Sequence, residues 1–358
     1  MVDWSRGDLA HSIRVLTVSP SDYFTVTGEL SGVEGGALSL DYYSDTRMSA
    51  TLRTLDRGES GWNGLDMLRI VHTVSDYTGV LMEETLGTFF VSVDNGLSWD
   101  WKGDVRECSW SLMSVLRGVQ LSAPSGGLTA AKGTRVLDCM RNWAHYFPPY
   151  GSNLRIMGDA KDAKYGSAAR WDVGKNYLEA FFDLADKAKD YLTCDEMGNF
   201  VVRAYVAPSE KSPSFELDDG DSRTLLVGDV SSGDEGLSVP SRVVVYASDG
   251  DTTIHKTADT SVQRAKEGVR GYRYDSLHQE SQMEPFTGRR AQALANGYAK
   301  SESEALRKCS FSMMYRPLRE GDVILLTWRG ETARWQVASA KLDFSKWVWD
   351  LDCKGGWR

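Results

Sequence analysis

"REGDVILLTWRGETARWQVASAKLDFSKWVWDLDC" (Arg319–Cys353) carries four tryptophans, Trp328, Trp335, Trp347 and Trp349, but no histidine, and its only cysteine is its last residue. So much aromatic mass with so little means of doing chemistry points to packing. Trp347, Trp349, Leu351 and Cys353 occupy every second position, with Val348, Asp350 and Asp352 between them. Period two marks a strand with one buried face. Upstream, Val323, Leu325 and Thr327 alternate with Ile324, Leu326 and Trp328, which predicts a strand buried on both sides. "RGET" (Arg329–Thr332) supplies a glycine-bearing turn. Trp335 and Val337 hold odd positions whereas Leu342 and Phe344 hold even ones, so a bulge is expected near Ser339. The tryptophans therefore read as the core of a small antiparallel barrel or sandwich. A stacking platform for single-stranded nucleic acid would need basic residues interleaved, and aspartates stand there instead.

The whole chain sets the bounds. Its 358 residues allow roughly two to four domains, each with a core of its own. A formal net charge of −9 argues against a nucleic-acid grip or an acidic-membrane contact. Five cysteines without a CxxC pair indicate a reduced chain with neither a disulfide framework nor a zinc ribbon. "MVDWSRGDLAHSIRV" lacks the basic and apolar regions of a signal peptide. The longest apolar runs are strand-sized, so no membrane-spanning helix and no stable membrane insertion are expected.

The first third is strand-like: "SIRVLTVS" (Ser12–Ser19), "DYFTVTGEL" (Asp22–Leu30), "MSATLRTL" (Met48–Leu55) and "DMLRIVHTVS" (Asp66–Ser75) lie between glycine- or aspartate-rich turns. "LGTFFVSVDNGLSWDWKGDVRECSW" closes this block with a strand, a "DNG" turn and two short strands. Its Phe89, Val91, Leu97, Trp99 and Cys108 have loose counterparts in Trp335, Val337, Leu342, Phe344 and Cys353, a weak internal repeat that suggests two related barrels.

The middle differs. "LSAPSGGLTAAKG" (Leu121–Gly133) reads as a linker. Thr134 is the expected cap of a helix with a Val136, Met140, Trp143 and Phe147 stripe, stopped by "PPYG". A second helix opens with Asn176 and Glu179 at capping-box spacing, with Leu178, Phe182, Ala185 and Leu192 expected on one face. "TCDEMGNFVVRAYV" follows as a hairpin around Gly198–Asn199. Strand pattern returns in "SRVVVYAS" (Ser241–Ser248), polar sequence leads to a last helix over Gly288–Cys309, and the terminal strands follow. The expected fold is mainly β with an α/β module: two related antiparallel β-barrels plus the inserted α/β domain. The expected division is a first barrel over 1–120, the module over 121–219, the start of a second barrel over 220–248, an insertion packing on the module over 249–308, and the rest of the second barrel over 309–358.

Candidate chemistry is scarce. His11, His72, His145, His255 and His278 are scattered, with no i, i+4 pair and no HExxH frame. His145 sits on the polar edge of the first helix as a surface or interface residue. There is no GxSxG elbow, GxGxxG cradle or P-loop. "ELDDGDS" (Glu216–Ser222) and "ASDGDTT" (Ala247–Thr253) lack calcium-loop spacing and read as solvated loops with Asx turns. Among 50 acidic residues nothing singles out a carboxylate pair for glycoside cleavage. Arg289 and Arg290 open the last helix, where they read as a wet face rather than a phosphate grip. No catalytic, cofactor-binding or metal-binding residue is nominated, no cofactor is expected, and the chain reads as no enzyme.

Four segments, in this order, carry a resemblance. "LGTFFVSVDNGLSWDW" is similar to a G-x-F-x-V strand followed by a turn and a second strand, and "GLTAAKGTRVLDCMRNWA" to a linker and the helix that opens a middle domain. "DEMGNFVVRAY" is similar to a D-x-x-G-x-[LF] hairpin, and "MMYRPLREGDVILLTW" with "RWQVASAKLDFSKWVWDLDC" to a closing P-x-L-x-x-G-D-x-[IV] turn and final strands. Together they cover nearly the whole chain and resemble the tail-hub proteins of bacteriophages. These are the baseplate hub of contractile tails and the N-terminal hub region of tail-tip and tail-associated proteins.

The resemblance implies a homotrimer whose two barrels per chain build a ring of pseudo-sixfold symmetry. Its implied partners are a distal tail or tail-tube protein ring above and a tip, spike or fibre protein below, with tape-measure protein and transiting DNA in the lumen. Its implied location is the tail tip of the virion, after synthesis in the bacterial host cytoplasm. A negative charge suits such a duct, since basic walls hold phosphates by releasing counterions. The acidic loops at Asp218–Asp221 and Asp249–Asp251 are the expected wall candidates. Two other classes stay open, a tail-associated cell-wall hydrolase and a carbohydrate-binding module. The first is disfavoured because "CKGGWR" follows the last strand directly, the second because an α/β module lies between the barrels.

Overall fold

The computed structural model describes residues 2–4, 6–56, 62–94, 96–146, 154–166, 168–221, 226–234, 240–249, 252–259, 275–279, 287–304 and 307–357. Phe147 and the "PPYG" segment lie outside them. The first eight strands are β1 (Ala10–Val18), β2 (Val26–Glu29), β3 (Val33–Asp41), β4 (Met48–Asp56), β5 (Met67–Asp76), β6 (Gly79–Val91), β7 (Leu97–Lys102) and β8 (Val105–Ser114). They pair antiparallel in the order β3-β4-β8-β6-β5-β1-β2. β7 prolongs β6 along the same side of β8: Val91 lies opposite Leu112 and Leu97 opposite Trp110. The alternation expected of half-buried strands holds, with Cys108, Trp110 and Leu112 of β8 all buried.

α1 (Val115–Leu121), β9 (Leu128–Ala130), α2 (Val136–Ala144), β10 (Leu154–Ile156), β11 (Ala169–Trp171), α3 (Tyr177–Ala188), β12 (Asp190–Cys194) and β13 (Phe200–Ala204) follow. β10, β13 and β12 form a mixed sheet, and β9 pairs with β11. Arg135, not Thr134, is the N-cap of α2. At α3 the expected capping residues hold: the Glu179 amide donates to Asn176 Oδ1 at 2.8 Å, and Asn176 Nδ2 donates to Glu179 Oε1 at 2.8 Å. Its buried face is Leu178, Phe181, Leu184, Ala185 and Ala188, whereas Phe182 is half-buried. Lys189 ends the helix in the left-handed region at φ 61°, so Leu192 belongs to β12 instead.

The remaining strands are β14 (Phe215–Asp218), β15 (Leu226–Asp234), β16 (Arg242–Asp249), β17 (Thr252–Asp259), β18 (Asp275–Gln279), β19 (Arg307–Met314), β20 (Val323–Trp328), β21 (Glu331–Asp343) and β22 (Val348–Trp357), with α4 (Gly288–Glu304) before β19. One expectation is corrected here. β16, assigned from its alternation to the start of a second barrel within 220–248, lies in a separate sheet of order β17-β16-β18. Its Val243 and Val245 are covered by Ala295 and Ala299 of α4. Small residues one helical turn apart let that helix sit close to the strands. The last helix also ends earlier than Cys309, because Cys309, Phe311 and Met313 alternate into the barrel core as β19.

The second barrel is assembled from β15, β19, β22, β21, β20 and β14, paired in that order. Arg329 (φ 51°) and Gly330 (φ 81°) form the two-residue turn between β20 and β21, a pair of left-handed residues that suits the strand twist. The bulge expected near Ser339 is present as a register shift between Val337 and Ser339. Trp335, Trp347, Trp349 and Leu351 are all buried.

The two barrels repeat one plan. Strand for strand, β3-β4-β8-β6-β5 matches β15-β19-β22-β21-β20, and aligning Leu112 with Cys353 brings the first residues of β4 and β19, and of β5 and β20, into correspondence. Phe89 and Val91 then match Trp335 and Val337, as expected from the sequence. Leu97 and Trp99 match Ala340 and Leu342, two residues from the expected partners, and Cys108 matches Trp349 rather than Cys353. The barrels join through β21 and β3, with Ser339 opposite Asp41 and Asp343 opposite Ala37, so one sheet runs through the molecule. The fold class is thus mainly β, two related antiparallel barrels with an inserted α/β module.

Candidate functional site

The sheet that crosses the joint has one greasy face and one wet face, both dictated by period two. On β22, Trp349, Leu351 and Cys353 point into the core, and Asp350 and Asp352 point out. On β19, Phe311 and Met313 are buried, and Ser310 and Ser312 are not. β3 contributes Ser39 and Asp41, and β21 contributes Ser339 and Lys341, to the same outer face. There the sheet is concave and encloses about 690 Å³.

Its polar groups satisfy one another across strands. Ser310 Oγ donates to Asp352 Oδ1 at 2.6 Å, Ser312 Oγ to Asp350 Oδ1 at 2.6 Å, and Ser339 Oγ to Asp352 Oδ2 at 3.2 Å. Asp41, Asp229, Asp350 and Asp352 stand against two cations, Arg47 and Lys341. Arg47 is turned away, its guanidinium packed on the rings of Tyr42, Phe182 and Tyr191. The face is therefore smooth, small-chained and acidic. Among the described residues no histidine lines it.

A second cluster lies between the barrels. His11 on β1 and His72 on β5, far apart in sequence, meet with Nδ1 and Nε2 3.0 Å apart, and His72 Nδ1 is 3.1 Å from Glu84 Oε1. Tyr315 donates its hydroxyl to the same carboxylate, and Trp347 stacks on both imidazoles at 4.1 and 4.9 Å. A proton on Nδ1 of each ring, with His11 donating to His72 and His72 to Glu84, satisfies this chain of bonds. Burial, and then the neighbouring His72, push His11 down to about 4. The cluster fastens β1, β5 and β6 of the first barrel to Tyr315 and Trp347 of the second.

The other histidines and charged segments weighed in the sequence stay apart. His145 is the exposed C-cap of α2, His255 is exposed on β17, and His278 on β18 stacks against Tyr298. Arg289 is exposed on α4; the side chain of Arg290 lies outside the described residues. Glu216–Asp218 belong to β14, Gly220 donates its amide to Asp218 Oδ1 at 2.8 Å, and Asp219 Oδ2 accepts the Arg329 amide at 2.8 Å. That acidic loop braces the β20–β21 turn. Asp249 ends β16 in the satellite sheet, and Gly250, Asp251 and Ser222 lie outside the described residues. Asp218–Asp221 are not among the residues lining the concave face. Among the described residues no group of three or more His, Cys, Asp or Glu could hold a metal ion, and no helix is long and apolar enough to cross a membrane. The five cysteines are buried and unpaired with one another.

No family profile and no curated protein matches the sequence. Solved structures do. The tail protein from Neisseria meningitidis MC58 superposes with a TM-score of 0.70 at 12% identity, covering 96% of this chain and 96% of its own. The fold is that of phage tail proteins. The 43 kDa tail protein of prophage MuSo2 from Shewanella oneidensis matches with a TM-score of 0.63 at 12% identity over 96% of this chain and 98% of its own. The prophage tail protein gp18 from Listeria monocytogenes EGD-e gives 0.56 at 12% identity over 96% and 94%. At such identity the likeness is one of architecture.

Proposed function

We propose that the chain is a structural tail protein that assembles as a homotrimeric hub, joins a sixfold tail tube to a threefold tip, and leaves a central conduit for genome DNA. One observation carries the reading: two barrels of one strand order are fused in a continuous sheet whose concave outer face is acidic and lined by small side chains. Three chains with two such barrels each offer six near-equivalent positions to the tube and three to the tip. The concave face would line the lumen, where Asp350 and Asp352 repel phosphates and the paired serines offer no cationic foothold. Counterion release, the main source of affinity for DNA backbones, has little to act on there, since four aspartates outnumber Lys341 and the stacked Arg47.

The neighbours in this reading are a distal tail or tail-tube ring above, a tip, spike or fibre protein below, and tape-measure protein and DNA within. The place of action is the tail tip of the virion, after synthesis in the bacterial host cytoplasm. The insertion around α4 would pack on the middle module, a placement supported by Lys189 Nζ lying 3.2 Å from the Tyr298 hydroxyl. A cryo-EM map of the assembled tip tests the conduit. A ring of three chains with Asp350 and Asp352 facing an open lumen is expected. A solid plug of side chains, or a lumen lined by lysine and arginine, refutes it. Release of soluble fragments from purified cell wall would favour a hydrolase instead.

A further inference from the structure

We propose that Cys309 and Cys353 form a cross-strand disulfide inside the second barrel once the chain leaves a reducing compartment, Cys309 being the attacking thiol and Cys353 the thiol that closes the bond. Cys309 of β19 lies directly opposite Cys353 of β22, and residues so placed point to the same side of a sheet. Both are 1% exposed, on the core face that carries Phe311, Met313, Trp349 and Leu351. Directly opposed residues of an antiparallel ladder have Cα atoms about 4.5 or 5.5 Å apart, within the span of roughly 4.4–6.8 Å that a disulfide bridges. The other cysteines are not so placed: Cys108 stands opposite Thr54, Cys194 opposite Phe200, and Cys139 lies on α2. In the first barrel the matching position holds Ala50 opposite Leu112, so the plan shared by the two barrels needs no thiol there.

A second observation gives an oxidant a way in. A cleft of about 320 Å³, lined by Leu326, Trp328, Ala333 and Trp335, reaches Cys309, whereas Cys353 is not among the described residues that line it. The fitting oxidant is a small organic disulfide of the glutathione class. The Cys309 thiol loses its proton, its thiolate attacks one sulfur of that disulfide, and the S–S bond breaks to release one small thiolate. The Cys353 thiol then loses its proton and attacks the Cys309 sulfur of the mixed disulfide, releasing the second. Two protein thiols are oxidised, one small disulfide is reduced, and the two released thiolates take up the protons. Burial raises Cys309 to about 11, and burial followed by the neighbouring Cys309 holds Cys353 well above its ordinary value. Thiolate is therefore scarce at neutral pH and exchange is slow, which keeps the pair reduced through synthesis and lets it close afterwards, outside the reducing compartment. That occasion, passage from host cytoplasm to free virion, rests on the tail-protein reading above; the chemistry does not. The bond would tie β19 to β22 in the register that sets Ser310 on Asp352 and Ser312 on Asp350.

The test uses the full-length chain, purified under reductant, held in oxidised glutathione and then unfolded for thiol titration. The wild type should fall from five free thiols to three, and peptide mass spectrometry should join Cys309 to Cys353 with the loss of two hydrogens. Cys353→Ala should stop at the mixed disulfide, with one glutathionyl group on Cys309, and Cys309→Ala should leave Cys353 unmodified. Five thiols after prolonged oxidation of the wild type, or a cross-link joining other cysteines, overturns the proposal, and a glutathionyl group on Cys353 in Cys309→Ala overturns the order of attack. Should either variant fail to fold, the wild-type thiol count and peptide map decide alone. The same map made on purified particles separates the two readings. A disulfide in the isolated chain but not in particles that contain it overturns the occasion, and a disulfide in a chain that enters no particle overturns the tail reading while leaving the bond standing.

Discussion

Acidification should loosen the fastening between the barrels, and the effect can be worked out from His11. Free histidine titrates near 6.5, and in the folded chain burial and His72 push His11 down to about 4. A depressed folded value means that the unfolded chain binds the extra proton first. Stability is therefore fully present above the unfolded value and is lost as pH falls from 6.5 toward 4. Between pH 7 and 4.5 the linkage amounts to about 2 kcal/mol once partial hydration of the ring is allowed for. For a chain this long that is a fall of about 3 °C in the unfolding midpoint.

Other groups titrate in the same window with the opposite sign. Burial raises Asp190 to about 6 and raises Glu320, which accepts a hydrogen bond from Thr193, so both bind protons more readily in the folded chain and add stability as pH falls. The comparison must therefore be differential. His11→Phe keeps a ring for Trp347 to stack on but cannot titrate. The wild type should lose about 2 kcal/mol more than this variant between pH 7 and 4.5, by calorimetry or denaturant titration. Identical losses in the two proteins would refute a titrating His11.

Three further outcomes follow from the same structure. Trp349 is 1% exposed and its indole donates to the Arg316 carbonyl at 3.0 Å; Trp349→Ala should cost about 3–5 kcal/mol and leave an insoluble or unfolded second barrel, read by soluble yield and near-ultraviolet circular dichroism. Asn176→Ala removes the side-chain cap of α3 and should cost about 1 kcal/mol in chemical denaturation. Ser310→Lys with Ser312→Lys on the concave face should slow genome ejection severalfold and leave assembled particles normal in electron micrographs; unchanged ejection kinetics would count against DNA passing that face.

Much of this architecture is legible in the chain because burial on one side of a strand writes itself as alternation. Trp349, Leu351 and Cys353 announce their face unaided, and the bulge at Ser339 shows as a slip in parity. Alternation does not say what covers a strand, however. Val243 and Val245 alternate just as barrel residues do, yet helix α4 buries them, and β16 was misplaced for that reason. β3 escapes notice because Gly35 and Gly36 blur its pattern, although it forms the joint. His72 stands in the apolar run "RIVHTV", an oddity visible in the sequence, but its partner His11 lies 61 positions away and only the pairing of β1 with β5 unites them. The concave face was missed for a related reason. Acidic clusters such as Asp218–Asp221 are conspicuous because they are local, whereas the concave face takes a few residues from each of several strands.

The tryptophans of Arg319–Cys353 and the aspartates between them are two halves of one specification. A strand with a single buried face fixes its register through what it hides. Here the hidden face is Trp349, Leu351 and Cys353, and the displayed face is Asp350 and Asp352, each held by a serine of β19. A slip of one residue would bury two carboxylates without partners and present an indole on the concave face. Either half alone would resist that slip through desolvation or lost packing. Acting together, they couple the chemistry of the concave face to the stability of the barrel, so a mutation that alters the face by shifting the strand would be eliminated first as a folding defect. Single outward substitutions, such as Ser312→Lys, escape that coupling, and for that reason they are the changes that can separate the proposed role of the face from the fold.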